Sequence, residues 1–574
     1  MISNINKRII LGFTISLILS SFSMIIANEN SELKVWIYFK DKGLDIKAKL
    51  QKPVDLISER AIQRRLKVLN REELISNMDL PVAENYIQTI LPYVKKIRAK
   101  SKWLNAVSAE VDSVNLSKIE TFEFVDKIAP VLKYKKDIPE IESIIKQNSH
   151  PIKKTSVDLD YGYSATQLEL INVPALHKLG FHGEGVVICM LDDGFNLLNM
   201  HETFDSLHVI ATYDFINDDE TVDDSDLSAT EGWHGTMTLS CIAGYTPGIL
   251  IGPAFKASFL LAKTEVDAGE TKVEEDYWVE GIEWAENQGA DIASSSLGYI
   301  DWYDWRDMDG RTAVTTIAAD IAVDLGMIVV NSAGNEGYSP DHNTLIAPAD
   351  GNNVIAVGAV TSDGSRSSFS SVGPSADGRI KPDVAAMGSS VCVASRTDST
   401  AYNYSNGTSF SCPLTSGSIA LLLNAVPQLT PEQVYEVITT TASQASSPDN
   451  LLGWGIINIE AAYYSIDTSN LVKIDNKPYP DFIKLSQNFP NPFNSQTTIS
   501  YSIERSAMVE INIYDFLGRK IKSFNEGIKR GKRNYDITYD FSPYASGVYV
   551  YQVRAKDYMT SNISQKSKKL VFIK

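Results

Sequence analysis

Cysteine is scarce in this sequence, which has four among its 574 residues: Cys189, Cys241, Cys392 and Cys412. So few cysteines exclude a small scaffold held together by disulfides. All four lie in the middle of the chain, each in an apolar or tightly packed context. Two interpretations stay open: buried free thiols, or one disulfide whose partners the spacing does not identify.

Low-complexity tracts and clear internal repeats are also absent. Hydrophobic residues make up 44% of the chain and charged residues 22%. This composition excludes a disordered chain and predicts folded domains with sizeable cores. At about 150 residues per domain, the chain has room for about three or four of them, less any signal and linkers.

Apolar runs long enough to cross a membrane are missing, except for one candidate near the N-terminus. Residues 1–27 start with Lys7 and Arg8, continue through the apolar residues 9–19 and reach small residues. This order is typical of a secretory signal peptide, whereas the alternative, a membrane anchor, needs a longer run to span ~30 Å of hydrocarbon. We therefore expect an exported protein with no stable transmembrane segment after signal removal.

Basic residues are rare in the middle of the chain. Residues 158–465 contain 43 acidic residues and only 10 basic ones, whereas residues 29–157 contain 18 acidic and 24 basic ones. The chain from Ile466 onward has a net charge of +7. Such an acidic middle segment argues against nucleic acid as its partner. The basic segment before it is expected to dock on it through charge complementarity.

The N-terminal segment predicts a small α+β domain followed by a linker. Residues 133–157 are polar, rich in lysine and broken by proline, as expected of the linker. Helices are expected at SERAIQRRLKVL, at residues 81–97 and at LSKIETF. Strands are expected at KVWIYFK, at residues 103–111 and around FVDKIAPVL.

The middle segment alternates short apolar runs with patterns that place apolar residues on one helical face. The runs cover residues 186–191, 259–263, 291–296, 327–333 and 354–360. This alternation predicts an α/β fold with a mostly parallel sheet covered by helices on both faces. In such sheets, functional sites form where the strands end.

The last part of the chain alternates apolar and polar residues with a period of two. A polar linker is expected at 466–480, and a small all-β sandwich is expected at 481–574. Its strands are predicted at TTISYSI, VEINIYDF, RNYDITYDF and GVYVYQVRA.

Three stretches of the middle segment carry groups suited to acyl transfer by a serine. MLDDGFN places Asp192 at the end of a buried strand, WHGTMTLSCIAG places His234 just before a helix, and NGTSFSCP places Ser409 at a helix start. A serine nucleophile needs a hydroxyl, a base that takes its proton and an acid that orients the base. Each residue alone has a plain explanation as a strand end or a cap. Their joint order matches one of the orders known for such triads.

With these flanks, the middle segment resembles the subtilisin-like serine proteases, the subtilases. The resemblance covers roughly residues 161–464 and includes LDDG, HGT and GTSFSCP, with SSSLG and SAGNEG in the expected order between the last two. It implies a subtilisin-like α/β fold and a serine endopeptidase that cleaves proteins or peptides. In that enzyme Asp192 orients His234, His234 is the general base and then the general acid, and Ser409 attacks the scissile carbonyl.

The resemblance also implies residues that bind without reacting. Asn335 of AGNEG aligns with the side chain that donates a hydrogen bond to the oxyanion, beside the backbone N–H of Ser409. Ser296, Leu297 and Gly298 match the extended segment that pairs with the substrate backbone as an added strand. A glycine there is expected to let the peptide approach closely. No cofactor or catalytic metal is implied.

Two departures from the family pattern limit this transfer of roles. Asp193 stands where the family usually has Ser or Thr, so the carboxylate that faces His234 needs checking. Asp192 is the choice in register, with Gly194 two residues on. Met237 replaces a second histidine that often follows HGT in the family, but that position is not part of the triad.

Two acidic loops raise the question of a structural calcium ion, which many subtilases bind. They cover residues 217–226 and 301–310, and oxygen ligands suit this ion. Neither loop has the EF-hand pattern. Solvated surface charge is the competing and preferred interpretation.

The flanking segments resemble the parts of a secreted precursor. The N-terminal segment resembles subtilase pro-segments, especially in SKWLNAVSAEV, which implies that it assists folding, inhibits the site and is cut off. The C-terminal segment resembles the sorting domain of type IX secretion in Bacteroidetes-related bacteria, in LSQNFPNPFNSQTTISYSI, IYDFLGRKI, ASGVYVYQVRA and KKLVFIK. This implies export through the outer membrane by that machinery, to the medium or the cell surface. A carbohydrate-binding or adhesive sandwich is the alternative.

Together these features predict a secreted, self-inhibited serine endopeptidase. Its expected parts are a signal peptide (1–27), a pro-segment with linker (28–157), a peptidase domain (158–465), a second linker (466–480) and a sorting domain (481–574). The competing hypothesis is an inactive subtilase-like protein that binds at the cell surface. The intact set of Asp192, His234, Ser409 and Asn335 weighs against it.

Overall fold

The structure is a computed structural model, and it separates into two compact units, residues 1–57 with 61–471 and residues 58–60 with 472–574. The predicted signal peptide and residues 467–480 of the second linker lie outside the described residues. In the part of the chain that is described, no helix is both long and apolar enough to cross a membrane. The described residues are 32–44, 46, 50, 56–70, 73–131, 141–145, 159–223, 232–265, 275–300, 303–466, 483–503, 507–515, 519–529, 533–557 and 563–574.

The first unit begins with a four-stranded antiparallel sheet in the order β2-β3-β1-β4, packed with short helices. The strands are β1 (Glu32–Phe39), β2 (Lys96–Ser101), β3 (Ala106–Asp112) and β4 (Val125–Pro130), and the helices are α1 (Glu59–Arg65), α2 (Glu84–Ile90) and α3 (Ser113–Ile119).

Two sequence predictions for this sheet differ from the structure. The helix expected over 81–97 ends at Ile90, because a 3₁₀ turn that contains proline leads the chain into β2. The strand expected from Trp103 starts at Ala106, because Asn105 has a φ of 50° in the turn between β2 and β3. The α+β character of the segment is as predicted.

A central sheet of seven parallel strands follows, in the order β14-β13-β12-β11-β6-β10-β7. The predicted linker contributes one short strand before it, β5 (Ile141–Ile145). The further strands are β6 (Val187–Asp192), β7 (His208–Asp214), β8 (Tyr245–Thr246), β9 (Leu250–Ile251), β10 (Ser258–Lys263), β11 (Ile292–Ser295), β12 (Ile328–Ser332), β13 (Ile355–Val360) and β14 (Val384–Met387).

Helices cover both faces of this sheet, as the alternation in the sequence predicted. One hydrophobic core lies between the sheet and helices α6 and α9, and a second lies between the sheet and helices α7 and α8. The helices are α4 (Ala165–Glu169), α5 (Val173–Lys178), α6 (His234–Ala243), α7 (Glu275–Gln288), α8 (Val314–Asp324), α9 (Thr408–Ala425), α10 (Pro431–Thr440) and α11 (Ile459–Ser465).

Strand β6 shows how the sheet sets up the site. All six of its residues are buried, and Ile188 and Met190 belong to the core on the α6 and α9 side. Cys189 and Leu191 belong to the core on the opposite side. Because side chains alternate along a strand, Asp192 points toward α6 and α9.

Two more strands complete the first unit, β15 (Val391–Ala394) and β16 (Tyr402–Ser405). They pair antiparallel, and β5 pairs antiparallel with the other edge of β16. The predicted linker is therefore not wholly irregular, because residues 141–145 form a strand beside the chain that leads to Ser409.

The second unit consists of antiparallel sheets around one core, as the period-two pattern predicted. One sheet has the order β17-β18-β21 and the other has the order β20-β19-β22-β23. The strands are β17 (Ile483–Leu485), β18 (Gln496–Ile503), β19 (Ala507–Tyr514), β20 (Lys520–Lys529), β21 (Arg533–Asp540), β22 (Gly547–Asp557) and β23 (Ile563–Phe572).

Candidate active site

The predicted site residues lie at the carboxyl ends of adjacent strands. Asp192 ends β6, Ser296 follows β11, and Asn335 comes three residues after β12. These three strands are neighbours in the sheet, and their parallel direction brings the loops to one edge. Helices α6 and α9 begin near the same edge with His234 and Ser409 in their first turns.

Asp192 and His234 are in direct contact. Nδ1 of His234 lies 2.6 Å from Oδ1 of Asp192, and the two residues are 1% and 0% exposed. A hydrogen bond at Nδ1 places the free lone pair on Nε2, the nitrogen that a general base uses. The other carboxylate oxygen, Oδ2, accepts the hydroxyl of Thr238 at 2.9 Å.

Asp193 has a different partner from Asp192, which answers the question that the sequence left open. Its two oxygens accept the backbone N–H groups of His234 at 3.1 Å and Gly235 at 2.8 Å, in the first turn of α6. A carboxylate at a helix N-terminus is stabilised by the free N–H groups and the helix dipole. Asp192 therefore faces the imidazole ring, and Asp193 holds the helix that carries it.

The close approach of α6 to the end of β6 depends on a glycine. A Cβ atom at Gly235 would lie 2.1 Å from the carbonyl oxygen of Gly194 and 3.0 Å from Cβ of Asp192. Any side chain there would push the helix away from the strand. The glycine of HGT thus sets the distance between the carboxylate and the imidazole.

Asp192, Asp193 and His234 are also the one group in the described chain whose metal-ligating side-chain atoms converge within 4.8 Å of one another. All four of their carboxylate oxygens accept hydrogen bonds from protein donors. The group is therefore a hydrogen-bonded network around an imidazole rather than a set of unused ligands.

Ser409 is the second residue of α9 and is 5% exposed. Its hydroxyl donates to the carbonyl of Ser296 over 3.4 Å, and no hydrogen bond joins it to His234 among the described contacts. The two residues are nevertheless neighbours, because the ring of His234 lies 6.2 Å from the ring of Phe410, which follows Ser409. Long catalytic hydrogen bonds are common in proteins without a bound substrate.

Asn335 is held so that its amide nitrogen is available. Its Oδ1 accepts both the backbone N–H of Thr408 at 2.9 Å and the hydroxyl of Thr408 at 3.0 Å. Because an N–H must point at an oxygen, this contact fixes the orientation of the amide. Among the described residues, Nδ2 has no hydrogen-bond acceptor.

Gly407 shows that this nitrogen shares a space with the N–H of Ser409. A Cβ atom at Gly407 would lie 3.6 Å from the backbone nitrogen of Ser409 and 3.7 Å from Nδ2 of Asn335. Gly407 also has a φ of 148°, which disfavours other residues. Two hydrogen-bond donors therefore face one small open space at the start of α9.

The segment Ser296-Leu297-Gly298 directly follows β11 and ties the sheet to α9. The hydroxyl of Ser296 donates to the carbonyl of Ser409 at 2.8 Å. A Cβ atom at Gly298 would lie 2.1 Å from Cδ1 of Ile346. The glycine is therefore required by the neighbouring loop, a reason that the sequence did not indicate.

The four cysteines are free and buried, which favours the thiol interpretation over a disulfide. Cys412 lies one helical turn after Ser409, and its sulfur contacts the carbonyls of Ser295 and Val330 at 3.4 Å. Burial raises the pKa of its thiol to about 12. A thiol with such a pKa packs as an apolar group and does not act as a nucleophile.

The acidic loops considered for calcium are described over residues 217–223 and 303–310. In the second loop, Asp304 and Asp309 each pair with the arginine two residues further on, at 2.9 and 3.0 Å. Carboxylates paired in this way do not form a cage of oxygen ligands, so the described part fits solvated charge better than a calcium site.

Two site residues were missed by the sequence analysis, Thr238 and Thr408. The signal for Thr238 was its spacing of one helical turn from His234, which places both on one side of α6. Thr408 precedes the nucleophile candidate, and only the fold brings it to Asn335.

The basic N-terminal segment docks on helix α7, as its charge predicted. Four carboxylates of α7, called here the acidic row, repeat at helical spacing and lie on one side of it. They are Asp276, Glu280, Glu283 and Glu286.

At one end of the acidic row, Glu286 is paired with two buried arginines of α1, Arg64 and Arg65. Arg65 donates to both oxygens of Glu286 at 2.9 Å and to Asp79 at 2.6 Å. Burial opposes the charge of Glu286, but Arg64 and Arg65 lower the pKa of this carboxyl below its ordinary value.

The middle of the acidic row is held by neutral donors. Glu283 accepts the backbone N–H groups of Lys102 at 2.9 Å and Trp103 at 3.1 Å, and Glu280 accepts that of Lys100 at 2.7 Å. Burial raises the pKa of Glu283 to about 7 and that of Glu280 to about 8. Neither carboxylate forms an ion pair within 4 Å with any residue that the structure describes.

Asp276, at the other end of the acidic row, is held by one neutral donor and one charged donor. It accepts the hydroxyl of Ser108 and the guanidinium of Arg98, the latter at 3.3 Å. Its Oδ1 has no hydrogen-bond partner, and burial raises the pKa of this carboxyl to about 6 in spite of Arg98.

Comparison with known protein families finds three matching segments, in the order expected from the sequence motifs. The Subtilase family matches residues 183–455, the Peptidase S8 propeptide domain of Bacteroidota matches residues 34–149, and the secretion system C-terminal sorting domain matches residues 487–571. The three resemblances inferred from the sequence motifs are confirmed.

Curated relatives agree with the match to the Subtilase family. Subtilisin NAT from Bacillus subtilis subsp. natto is 30% identical over 368 residues, which cover 64% of this chain and 83% of that protein. Subtilisin from Bacillus pumilus is 33% identical over 293 residues, covering 51% of this chain and 96% of that protein. A solved protease of Pseudoalteromonas arctica is 24% identical with a TM-score of 0.43, covering 54% of this chain and 99% of that chain.

The parallel sheet, the aspartate–histidine contact and the serine at a helix start define a subtilisin-like serine peptidase. The chain belongs to the subtilase family, and it is a serine endopeptidase with an N-terminal propeptide domain. The sorting domain marks it for export through the outer membrane, so the protein is secreted or held at the cell surface.

Proposed function

We propose that this protein hydrolyses peptide bonds of proteins through an acyl-enzyme formed on Ser409, and that it is made as a precursor inhibited by its own pro-segment. The observation that carries the proposal is the contact of 2.6 Å between Asp192 and His234 beside the start of α9. The proposal covers the roles of the residues, the processing and the partners.

In the first half of the reaction, Nε2 of His234 takes the proton of the Ser409 hydroxyl as the oxygen attacks the scissile carbonyl carbon. The resulting imidazolium is stabilised by the carboxylate of Asp192. His234 then gives this proton to the leaving amine, the peptide C–N bond breaks, and an ester remains on Ser409. A water molecule, deprotonated by His234, releases the acyl group by the same route.

The negative charge of the tetrahedral intermediate needs preorganised donors. Nδ2 of Asn335 and the N–H of Ser409 are the proposed pair, and their shared space beside Gly407 supports this role. The N-terminus of α9 adds a favourable partial positive charge. Donors already oriented in the resting enzyme stabilise the transition state without further reorganisation.

Ser296, Leu297 and Gly298 are proposed to pair with the backbone of the substrate. Their position directly after β11 and the bond from Ser296 to the carbonyl of Ser409 support this role. A peptide added as a strand along this segment would present its carbonyl to the nucleophile. Protein and peptide substrates fit this mode of binding.

The pro-segment is proposed to be the inhibitor of its own peptidase. The buried ion pairs and hydrogen bonds of the acidic row support a specific complex. The family match of residues 34–149 to a propeptide domain supports the same assignment. Removal of this segment would activate the enzyme.

The proposal also includes the boundaries between the parts of the precursor. Residues 1–27 are proposed as the signal peptide, 28–157 as the pro-segment with its linker, 158–465 as the peptidase and 481–574 as the sorting domain after a linker at 466–480. The type IX secretion machinery is the proposed partner of the sorting domain. No cofactor is needed in this mechanism, and calcium would at most be structural.

Replacement of Ser409 by alanine tests the catalytic proposal. We expect S409A to lose self-processing and hydrolysis of a generic protein substrate, because the variant lacks the nucleophile but keeps the fold. Mass spectrometry of the secreted wild-type and S409A chains would locate both processed ends. Equal hydrolysis by wild type and S409A after pro-segment removal would contradict the proposal, and silence of both would favour a surface binding protein.

A further inference from the structure

The carboxylate of Asp192 is completely buried and has donors on both of its oxygens. Oδ1 accepts Nδ1 of His234 at 2.6 Å and the backbone N–H of Asp193 at 3.0 Å, and Oδ2 accepts the hydroxyl of Thr238 at 2.9 Å. A buried carboxylate stays charged only when such donors replace the lost water. The hydroxyl of Thr238 is thus a side-chain donor to Oδ2.

Position 193 cannot supply this hydroxyl in the present chain. The subtilases usually have Ser or Thr after the triad aspartate, whereas Asp193 as an ionised carboxylate only accepts hydrogen bonds. Its oxygens accept from the first turn of α6, at His234 and Gly235. The substitution removes a donor beside Asp192 and adds a second buried negative charge.

Thr238 is well placed to compensate for this loss. It lies one helical turn after His234, so both side chains project from the same side of α6. Its Oγ1 lies 2.9 Å from Oδ2 of Asp192 and 3.1 Å from the carbonyl of Gly235. A hydroxyl has one proton, and the shorter contact to the charged acceptor is the stronger bond.

We propose that Thr238 is a positioning residue of the catalytic reaction, which holds Asp192 in the orientation that receives Nδ1 of His234. The hydroxyl that bonds Oδ2 of Asp192 is supplied from α6, and Asp193 holds that helix. Helix α6 thus carries both the general base, His234, and the hydroxyl of Thr238 that orients Asp192. This inference rests on the proposed role of Asp192 and His234.

The test compares T238V with T238S in the full-length, self-processed enzyme. T238V keeps the shape of the side chain but removes the hydroxyl, and we expect kcat to fall between about 10- and 100-fold with little change in KM. The carboxylate that has lost the Thr238 hydroxyl attracts the imidazolium proton more strongly, so the acidic limb of the kcat/KM profile should move to higher pH. T238S should restore both the rate and the profile.

A matched control is T236V on the same helix. Thr236 is equally buried, and its hydroxyl donates to the carbonyl of Asn196 at 2.6 Å rather than to Asp192. T236V is expected to lower the melting temperature without moving the pH profile. An unchanged profile and rate in T238V, or an equal shift in T236V, would overturn the inference.

Two further measurements keep the outcome clear. If T238V does not fold, T238A provides the same loss of hydroxyl with a smaller side chain, and the melting temperature reports folding. A failure of the whole catalytic proposal would appear in S409A, which would then keep its activity. If S409A is inactive and the Thr238 variants behave like wild type, only the positioning role is lost.

Discussion

The peptidase contains two groups of buried carboxylates, and they are held by donors from different sources. At the end of β6, Asp192 and Asp193 accept hydrogen bonds from α6, which belongs to the peptidase itself. On α7, the acidic row accepts hydrogen bonds from the pro-segment. The first group takes its donors from its own domain, whereas the second would lose its donors on the proposed removal of the pro-segment.

This difference matters because burial of a charge is unfavourable unless the charge is paired. At Asp192 and Asp193 the unfavourable burial of charge is offset by donors from the same folded domain, so these hydrogen bonds do not depend on another segment. On α7 it is offset only by association. The acidic row therefore makes binding of the pro-segment sensitive to any change that alters charge.

The largest effect should come from the catalytic group. D192N keeps the size of the side chain but removes the charge and presents an amide to Nδ1 of His234, which favours the wrong tautomer. We expect kcat to fall by ~10⁴-fold. The measurement is kcat on a peptide substrate with matched protein concentrations.

The control for this variant is D193N. Asp193 caps α6 and does not contact the imidazole ring, so we expect a lower melting temperature and a much smaller loss of kcat. Similar losses of kcat in D192N and D193N would contradict the different roles given to the two aspartates.

A smaller effect is expected from E286Q at the charged end of the acidic row. The change leaves Arg64 and Arg65 buried with less compensation, so binding of the isolated pro-segment should weaken roughly 10²- to 10³-fold. Calorimetry with the S409A peptidase would measure the dissociation constant without cleavage.

E280Q is the matched variant on the same helix. Glu280 is held by the N–H of Lys100, and neutralising it removes a partly buried charge that has no ion-pair partner among the described residues. We expect binding that is unchanged or tighter. Equal weakening by E280Q and E286Q would mean that the two parts of the acidic row do not differ.

Binding of the pro-segment should also depend on pH. Burial raises the pKa of Asp276, Glu283 and Glu280 to about 6, 7 and 8, whereas exposed carboxyls of the free peptidase titrate near 4. The complex therefore binds more protons than the separate parts. Affinity should be higher at low pH and should fall steadily as pH rises from about 5 to about 8.

The groups that face these carboxylates determine the limits of this window. Lys42 and Lys102 face Glu283, and burial lowers the pKa of Lys42 to about 8, so its attraction also weakens at high pH. Glu286 has a lowered pKa and keeps its ion pairs throughout the window. E283Q should flatten the pH dependence, and a dissociation constant that is constant from pH 5 to 8 in wild type would exclude proton-linked binding.

Much of the fold was predictable because its signals are local. The apolar runs that became β6, β10, β11, β12 and β13 are bounded by turn residues, and their burial on both faces appears as continuous hydrophobicity. The edge strands β7 and β14 were missed, because His208–Asp214 is half polar and Val384–Met387 is short. The helix expected through residue 97 was too long, because tertiary pairing draws Lys96–Ser101 into a sheet.

The sequence by itself determined which residue types meet at the site, because the order of the motifs and their places at strand ends and helix starts are written along the chain. Only the tertiary structure decided which of two adjacent aspartates faces His234, since that depends on the face of β6 that α6 covers. It also decided that Thr238 reaches Asp192, that Gly298 makes room for Ile346, and which carboxylates of α7 meet arginines. Each of these depends on the distance between segments far apart in the chain, and a linear pattern does not contain that distance.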